Sequence, residues 1–217
     1  VSFHTYAGEV KAVRGITFGV EKGETLALVG ESGCGKSVTA KALLRLFDRT
    51  SGEIMPGSKI QFDGQDVMAL NKKQLHAFRG AEIGMIFQDP TAALDPLFTV
   101  EQLLLEGLRK QHRMSKKQAR EIALESLRMM NLRDPEELMK KKPYEVSGGM
   151  CQRVMIAIAM SMKPDYLIAD EPTTALDVTI EAQILQLMRR LQRESGSSVL
   201  LITHDLGVVA EICDLVY

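Results

Sequence analysis

The sequence predicts an α/β fold in which a mainly parallel sheet forms the core, an antiparallel β part flanks it, and a helical lobe is inserted. Three observations support this prediction. Four short apolar runs lack polar alternation and are separated by helical patterns, as is typical of strands buried on both faces of a parallel sheet. A glycine-punctuated, alternating segment precedes the first run, and a long stretch without strand-like segments separates the second run from the third.

The four apolar runs are the predicted core strands. They are residues 26–29, 83–87, 166–169 and 199–202. Each run is bounded by glycine or polar residues, and helical patterns lie between them, as α/β winding requires. The chain also reaches Tyr217 inside what the pattern indicates is a further strand.

The antiparallel part is predicted at the side of the core. Residues 10–20 alternate in polarity and contain glycines, and residues 59–62 precede the turn pair Asp63-Gly64. Alternation is typical of antiparallel strands with one solvated face, and Asp-Gly is a strong turn signal.

Between the second and third apolar runs the sequence predicts helices instead of strands. Helical apolar spacing recurs there in three stretches, residues 100–109, 116–131 and 148–162. We therefore expect a helical subdomain over residues 88–161, inserted into a core formed by residues 1–87 and 162–217.

The composition is that of an ordinary globular chain without basic character. Hydrophobic residues make up 45% of the 217 residues, charged residues 25%, and the formal net charge is −1 at pH 7. A nucleic-acid partner is therefore not expected, because such proteins carry a basic patch or stripe. The most apolar stretch, residues 154–160, is too short to span a bilayer. Three cysteines without a close pair favour free thiols in a reducing cytosol.

Reactive side chains follow each of the four predicted strands. A glycine-rich loop follows the first strand, Gln88 the second, Asp170 and Glu171 the third, and His204 the fourth. In an open α/β sheet, ligands bind beyond the carboxyl ends of the strands. We therefore expect these groups to form one site at one edge of the sheet.

The glycine-rich loop predicts a phosphate-binding site of the P-loop NTPase type. It fits G-x-x-x-x-G-K-[ST] with Gly30, Glu31, Ser32, Gly33, Cys34, Gly35, Lys36 and Ser37, followed by Val38 in a helical stretch. Backbone N–H groups and the helix N-terminus would bind phosphate oxygens. We expect Lys36 to reach the β- and γ-phosphates and the Ser37 hydroxyl to bind Mg²⁺. The loop alone does not distinguish a kinase, a GTPase and an ATPase.

The polar residues after the other strands predict hydrolysis. Asp170 is expected to hold Mg²⁺ through water, and Glu171 to polarise the attacking water as a general base. His204 is expected to donate a hydrogen bond to the γ-phosphate, although a single histidine is more often structural. Gln88 is expected to contact the water or the metal.

Ser147, Gly148 and Gly149 open a predicted helix in the lobe. Serine is a favourable N-cap, and two glycines expose backbone N–H groups to an anion. A capped helix start without a ligand is an equally good interpretation of these residues.

Taken in order, these residues resemble the ATP-binding subunits of ABC transporters. The matching motifs are Walker A at residues 30–37, the Q-loop at Gln88, the signature at residues 147–149, Walker B at Asp170-Glu171, the D-loop at residues 174–177 and the H-switch at His204. The resemblance covers essentially the whole chain. Residues 85–90, 147–150 and 171–179 resemble the oligopeptide, dipeptide and nickel permease group of bacterial importers.

The resemblance implies an ATPase that uses ATP and Mg²⁺. Its catalytic residues would be Lys36, Gln88, Glu171 and His204, and its metal-binding residues Ser37, Gln88 and Asp170. An aromatic ring near the N-terminus would stack on adenine, with Tyr6 as the first choice and Phe3 as the alternative.

The resemblance also implies partners. A second ATPase subunit, identical or related, would pair head to tail so that Ser147, Gly148 and Gly149 of one subunit close on ATP held by the other, with Asp177 at the interface. Separate transmembrane permease subunits, and indirectly an extracytoplasmic solute-binding protein, would complete an importer at the cytoplasmic face of a bacterial membrane. Family members continue beyond the position of Tyr217, so we expect a further C-terminal part.

Two other functions stay open at this point. One is a non-transport ABC ATPase acting in DNA repair or chromosome organisation, although no heptad run or basic stripe is present. The other is a catalytically weakened partner subunit, because Val146 and Met150 replace the Leu and Gln common in the signature. The residues do not distinguish peptide from nickel as the solute.

Overall fold

The computed structural model describes residues 1–6, 8–47, 52–174 and 176–217. Its strands within these residues are β1 (Ser2–Thr5), β2 (Gly8–Lys11), β3 (Thr25–Val29), β4 (Gly52–Glu53), β5 (Gln61–Phe62), β6 (Gln65–Asp66), β7 (Ile83–Ile86), β8 (Tyr166–Asp170), β9 (Ser198–Thr203) and β10 (Leu215–Val216). Its helices are α1 (Lys36–Leu43), α2 (Lys72–Ala81), α3 (Pro90–Ala93), α4 (Val100–His112), α5 (Lys116–Met129), α6 (Pro135–Leu138), α7 (Gly148–Ser161), α8 (Val178–Ser195) and α9 (Leu206–Ile212).

A parallel sheet lies at the centre of the fold. In the described part of the chain it has five strands in the order β10-β3-β9-β8-β7, and every neighbouring pair is parallel. The central strand β9 is buried at every position, which agrees with the uninterrupted apolar run at residues 199–202 within it. The four predicted core strands are confirmed, and the further strand predicted near Tyr217 is β10.

The register of this sheet aligns the carboxyl ends of its strands. Val29 at the end of β3 is paired with Thr203 at the end of β9, and Asp170 is paired with Ile202. Ile86 at the end of β7 is paired with Ala169. Residues that follow these strands therefore emerge at one edge.

Smaller antiparallel sheets flank the core. Among the described residues, β2, β1 and β4 form one sheet, and β5 and β6 form a hairpin whose turn is the predicted Asp63-Gly64 pair. The prediction for residues 10–20 is wrong beyond Lys11, because residues 12–20 are not assigned to a strand. The chain turns at Ala12, whose N–H donates to Val10 O at 3.1 Å. Val13 still exchanges two backbone hydrogen bonds with Val1, at 3.1 and 2.7 Å, and residues 14–20 continue outside the β1–β2 ladder.

Helices α3 to α7 lie between β7 and β8 in the chain, where the sequence predicts a lobe. Thr99 and Ser115 form capping boxes at the starts of α4 and α5. Pro135 and Pro143 each begin a short helical turn, which is where proline is tolerated.

The helical region shares one apolar core with the sheet. Leu104 of α4, Leu127 of α5, Ile156 of α7 and Leu201 of β9 all belong to a single buried cluster. Helix α7 packs against α3, α4, α5 and β7, so it connects the helices to the sheet. Over the described ranges, no helix has both the length and the apolarity needed to cross a bilayer.

Candidate functional site

A hydroxyl and a carboxylate meet at the carboxyl edge of the sheet. The Ser37 hydroxyl of α1 donates to Asp170 Oδ1 at 2.9 Å. Asp170, the last residue of β8, is only 2% exposed. Burial raises the pKa of the Asp170 carboxyl, and the hydrogen bond from Ser37 opposes that rise. These oxygen ligands are of the type that Mg²⁺ prefers, so the pair fits the predicted metal site.

The phosphate loop has a backbone that requires glycine at Gly35. This residue has φ +103°, and a Cβ added to it would lie 2.7 Å from the Ala12 carbonyl oxygen. Gly33 also has a positive φ of +83°, but a Cβ there would meet no atom within 4 Å. Glycine is therefore required at Gly35 both by its φ and by the backbone of Ala12, which follows β2, whereas at Gly33 it is favoured by φ alone.

The Lys36 side chain is hydrogen-bonded to the backbone of this loop. Its Nζ donates to the carbonyl oxygens of Gly30 at 2.6 Å and Glu31 at 2.9 Å, and the residue is 8% exposed. Glu31, Ser32 and Cys34 are exposed, and Cys34 Sγ lies 3.9 Å from Lys36 Nζ. The ammonium group is thus held among backbone carbonyls directly beside the helix N-terminus of α1.

Glu171 lies at the centre of a second polar cluster. Gln88 Nε2 donates to Glu171 Oε2 at 3.2 Å, and His204 Nδ1 lies 3.3 Å from Glu171 Oε1. The Thr174 hydroxyl also donates to Glu171 Oε2 at 3.2 Å. Sequence reasoning assigned Thr174 to the D-loop and missed this contact, because a hydroxyl three residues after a carboxylate is a very common pattern.

An unusual backbone conformation separates the roles of the two adjacent carboxylates. Glu171 has φ +46°, which is uncommon for a residue other than glycine and is found preferentially at functional sites. Its N–H donates to Ile202 O at 2.8 Å, which anchors this turn on β9. Asp170 therefore binds Ser37 while Glu171 binds Gln88, Thr174 and His204.

The predicted signature residues lie at a separate helix start. Ser147 is the N-cap of α7, and its Oγ accepts from Met150 N at 3.4 Å. Ser147 and Gly148 are exposed, and Gly149 is half-buried. Among the hydrogen bonds of the described residues, none joins Ser147, Gly148 or Gly149 to the phosphate loop or to Glu171.

Of the remaining predicted residues, Asp177 and Tyr6 are exposed and Val38 and Phe3 are half-buried. Asp177 is the N-cap of α8 and accepts from Ile180 N at 3.1 Å, while Val38 lies half-buried in the first turn of α1. Tyr6 is fully exposed beside β1. The Phe3 ring, in contrast, packs edge-to-face on Phe47 with centroids 5.5 Å apart, so Tyr6 is the better placed of the two rings for stacking.

Comparison with known proteins identifies the family. The family model described as "ABC transporter" matches residues 13–174. The chain belongs to the ABC transporter family. The predicted family is thereby confirmed.

Relatives of this ABC chain include peptide transport proteins. Dipeptide transport ATP-binding protein DppD of Bacillus subtilis (strain 168) is 52% identical over 216 residues, covering 100% of this chain and 64% of the relative. Oligopeptide transport ATP-binding protein OppD of the same organism is 50% identical and covers 100% of this chain and 60% of the relative. This ABC chain therefore spans less than two thirds of the length of these relatives.

A solved structure shares the fold of the ABC chain. The ATP-binding cassette MJ0796, in a dimeric post-hydrolysis state bound to ADP and Pi, aligns with a TM-score of 0.84 and 31% identity. The alignment covers 95% of this chain and 86% of the other.

Proposed function

We propose that this ABC chain hydrolyses ATP and couples hydrolysis to the import of oligopeptides or dipeptides through separate permease subunits. The observation that carries the proposal is the pair of clusters at the carboxyl edge of the sheet, Ser37–Asp170 and Gln88–Glu171–His204. The first cluster suits metal binding and the second suits activation of water. The names of DppD and OppD support a peptide as the solute.

Nucleotide binding rests on the phosphate loop. Its backbone N–H groups and the N-terminus of α1 would bind phosphate oxygens, and Val38 would extend this contact. Lys36 would exchange the carbonyl oxygens of Gly30 and Glu31 for the β- and γ-phosphates. The exposed Tyr6 ring would stack on adenine.

Ser37, Asp170 and Gln88 are the residues that would hold Mg²⁺. When bound, the ion supplies positive charge that neutralises the phosphate oxygens. The Ser37–Asp170 hydrogen bond holds both oxygen ligands together beforehand, which limits the reorganisation that binding requires.

Hydrolysis would use Glu171 as the general base. Glu171 would accept a proton from the water that attacks the γ-phosphorus, while the bond to the β-phosphate oxygen breaks. Gln88 and Thr174 hold one carboxylate oxygen of Glu171, and His204 lies against the other. His204 is also well placed to donate to the γ-phosphate, because it follows β9 next to the strand that leads into the phosphate loop.

We propose that two such chains, identical or related, pair head to tail. The separation of Ser147, Gly148 and Gly149 from the phosphate loop supports this, because they would then complete the partner's site, with Asp177 at the interface. The dimeric form of MJ0796 is consistent with such pairing. In this arrangement residues 1–87 and 162–217 are the ATP-binding core, and residues 88–161 are the helical subdomain.

The proposed location is the cytoplasmic face of a bacterial membrane. The chain would work there with transmembrane permease subunits and, indirectly, with an extracytoplasmic solute-binding protein. Residues 88–98, between Gln88 and α4, are suited to transmit motion to the permease because they connect the Glu171 cluster to the helices.

ATP hydrolysis by this chain is expected to depend on protein concentration. If a second chain completes each site, phosphate release per chain will rise with concentration and then reach a plateau, whereas MgATP will already bind at protein concentrations too low for hydrolysis and will bind more tightly as the chains pair. Phosphate release and equilibrium binding, both measured over a hundredfold range of protein concentration, test this. Strong hydrolysis per chain that is independent of concentration would contradict the shared site.

Peptide import is expected when the chain is purified with its permease subunits and reconstituted in liposomes with the solute-binding protein. ATP should then drive uptake of a labelled dipeptide or oligopeptide, and Glu171→Gln complexes provide the inactive control. ATP-driven uptake of Ni²⁺ in place of peptide would contradict the assigned solute. Hydrolysis stimulated by DNA would favour the non-transport alternative.

A further inference from the structure

Gln152 is a fully buried amide that joins helix α7 to the turn carrying Glu171. It is 0% exposed, and its Nε2 donates to the Pro172 carbonyl oxygen at 2.6 Å. Pro172 is itself buried and directly follows Glu171. The contact therefore connects two segments separated by 20 residues in the sequence.

The other end of this amide has no compensating contact. Gln152 Oε1 is buried, and no donor within the described residues reaches it. A buried polar atom without a partner is costly, so an apolar side chain of similar shape would serve packing alone at least as well. The amide is therefore better explained by what its Nε2 holds than by its contribution to the core.

The turn that Gln152 Nε2 contacts, residues 171–174, is also held by other hydrogen bonds. Glu171 N–H is bonded to β9, and Thr174 N–H and its hydroxyl are bonded back to Glu171 O at 3.5 and 3.2 Å. Pro172 has no N–H, so its carbonyl is its one backbone hydrogen-bonding group. The Gln152 contact fixes this carbonyl and thereby restricts rotation of the turn that sets the direction of the Glu171 side chain.

Helix α7 also connects this contact to the predicted signature residues. Gln152 lies four residues after Gly148, about 6 Å along the helix axis from the start of α7. A displacement of the Ser147–Gly149 end of the helix would therefore be transmitted directly to Pro172. A helix is rigid over this length, and the cluster around Ile156 keeps it packed on the sheet.

We propose that Gln152 is a positioning residue that couples the signature end of α7 to the orientation of Glu171. The proposal rests on the proposed function, because it concerns how the hydrolytic base is held. Because Gln152 is fully buried, we expect it to contact neither the nucleotide nor the attacking water. Its effect is exerted through Pro172.

A second buried glutamine provides a matched control. Gln192 of α8 is 6% exposed, and its Nε2 donates to the carbonyl oxygens of Gly23 at 2.5 Å and Ser197 at 3.1 Å. These residues precede β3 and β9, so the contact lies at the amino edge of the sheet, away from Glu171. Gln192→Met makes the same chemical change at another buried position.

The test compares Gln152→Met with Gln192→Met and the unmodified chain. At a protein concentration on the plateau of activity, Gln152→Met is expected to lower kcat by about 10- to 100-fold and to leave the KM for ATP within about twofold, because a misplaced catalytic group affects turnover before binding. Gln192→Met is expected to lower Tm but to leave kcat within about twofold. Gln152→Asn, which keeps the amide but is one methylene shorter, should reproduce the kcat loss if Gln152→Met fails to fold.

Amide hydrogen exchange tests the proposal independently of ATP hydrolysis. In Gln152→Met, the amides of Glu171, Thr173 and Thr174 should exchange faster, whereas those of residues 23–29 should not change. Gln192→Met should show the reverse. If the unmodified chain releases no phosphate, the proposed function fails, yet exchange still tests the role of Gln152. Unchanged exchange at residues 171–174, or a folded Gln152 variant with normal kcat, would overturn the proposal.

Discussion

Replacing Glu171 by glutamine is expected to lower steady-state ATP hydrolysis by about 10²- to 10⁴-fold, the range that a general base contributes. Glutamine keeps the shape of the side chain and one acceptor oxygen toward Gln88, but its amide cannot accept a proton from water. Binding of MgATP should stay within a few-fold of the unmodified chain, because the phosphate loop and Asp170 are unchanged. Phosphate release and calorimetric titration with MgATP measure the two quantities separately.

A suitable control makes the same change far from the cluster. Glu137→Gln removes an exposed carboxylate of α6 that pairs with Lys140 at 2.6 Å, and it should leave turnover unchanged. Near-normal turnover in Glu171→Gln would show that another group activates the water. The role of the Gln88–Glu171–His204 cluster would then need revision.

Replacing Gly35 by alanine is expected to weaken MgATP binding by at least about a hundredfold. The new Cβ would lie 2.7 Å from the Ala12 carbonyl oxygen, and φ +103° is a conformation that L side chains rarely adopt. The loop must therefore shift, which moves the N–H groups that bind phosphate. A hundredfold weakening corresponds to about 2.8 kcal/mol, comparable to the strain of one such residue together with a backbone clash.

Two glycines separate the effect of the clash from that of the backbone angle. Gly33 has φ +83° with open space around it, so Gly33→Ala should weaken binding by about tenfold. Gly57 has a similar φ of +87° outside the site, and Gly57→Ala should reduce Tm slightly while leaving binding unchanged. Titration calorimetry and thermal unfolding of all three variants make the comparison. Gly35→Ala binding within threefold of the unmodified chain would contradict the loop geometry.

The core strands could be predicted because their signal is local. Residues 199–202 are continuously apolar, and the structure buries every position of β9. Residues 12–20 were predicted incorrectly because alternation describes polarity but not whether a ladder partner is available. The Ala12 carbonyl instead lies where Gly35 leaves room for it, a contact between residues 23 positions apart in the sequence.

In the candidate site, too, some features could be predicted from the sequence and others required the structure. The sequence by itself determined the family, the phosphate loop and the order in which Gln88, Glu171 and His204 follow their strands, since each motif is a short pattern of residue types. Only the tertiary structure decided that Ser37 binds Asp170, that Thr174 joins Glu171, and that Gln152 holds Pro172. The physical reason is that these contacts depend on strand register and on the packing of α7, which bring together residues that no local pattern relates.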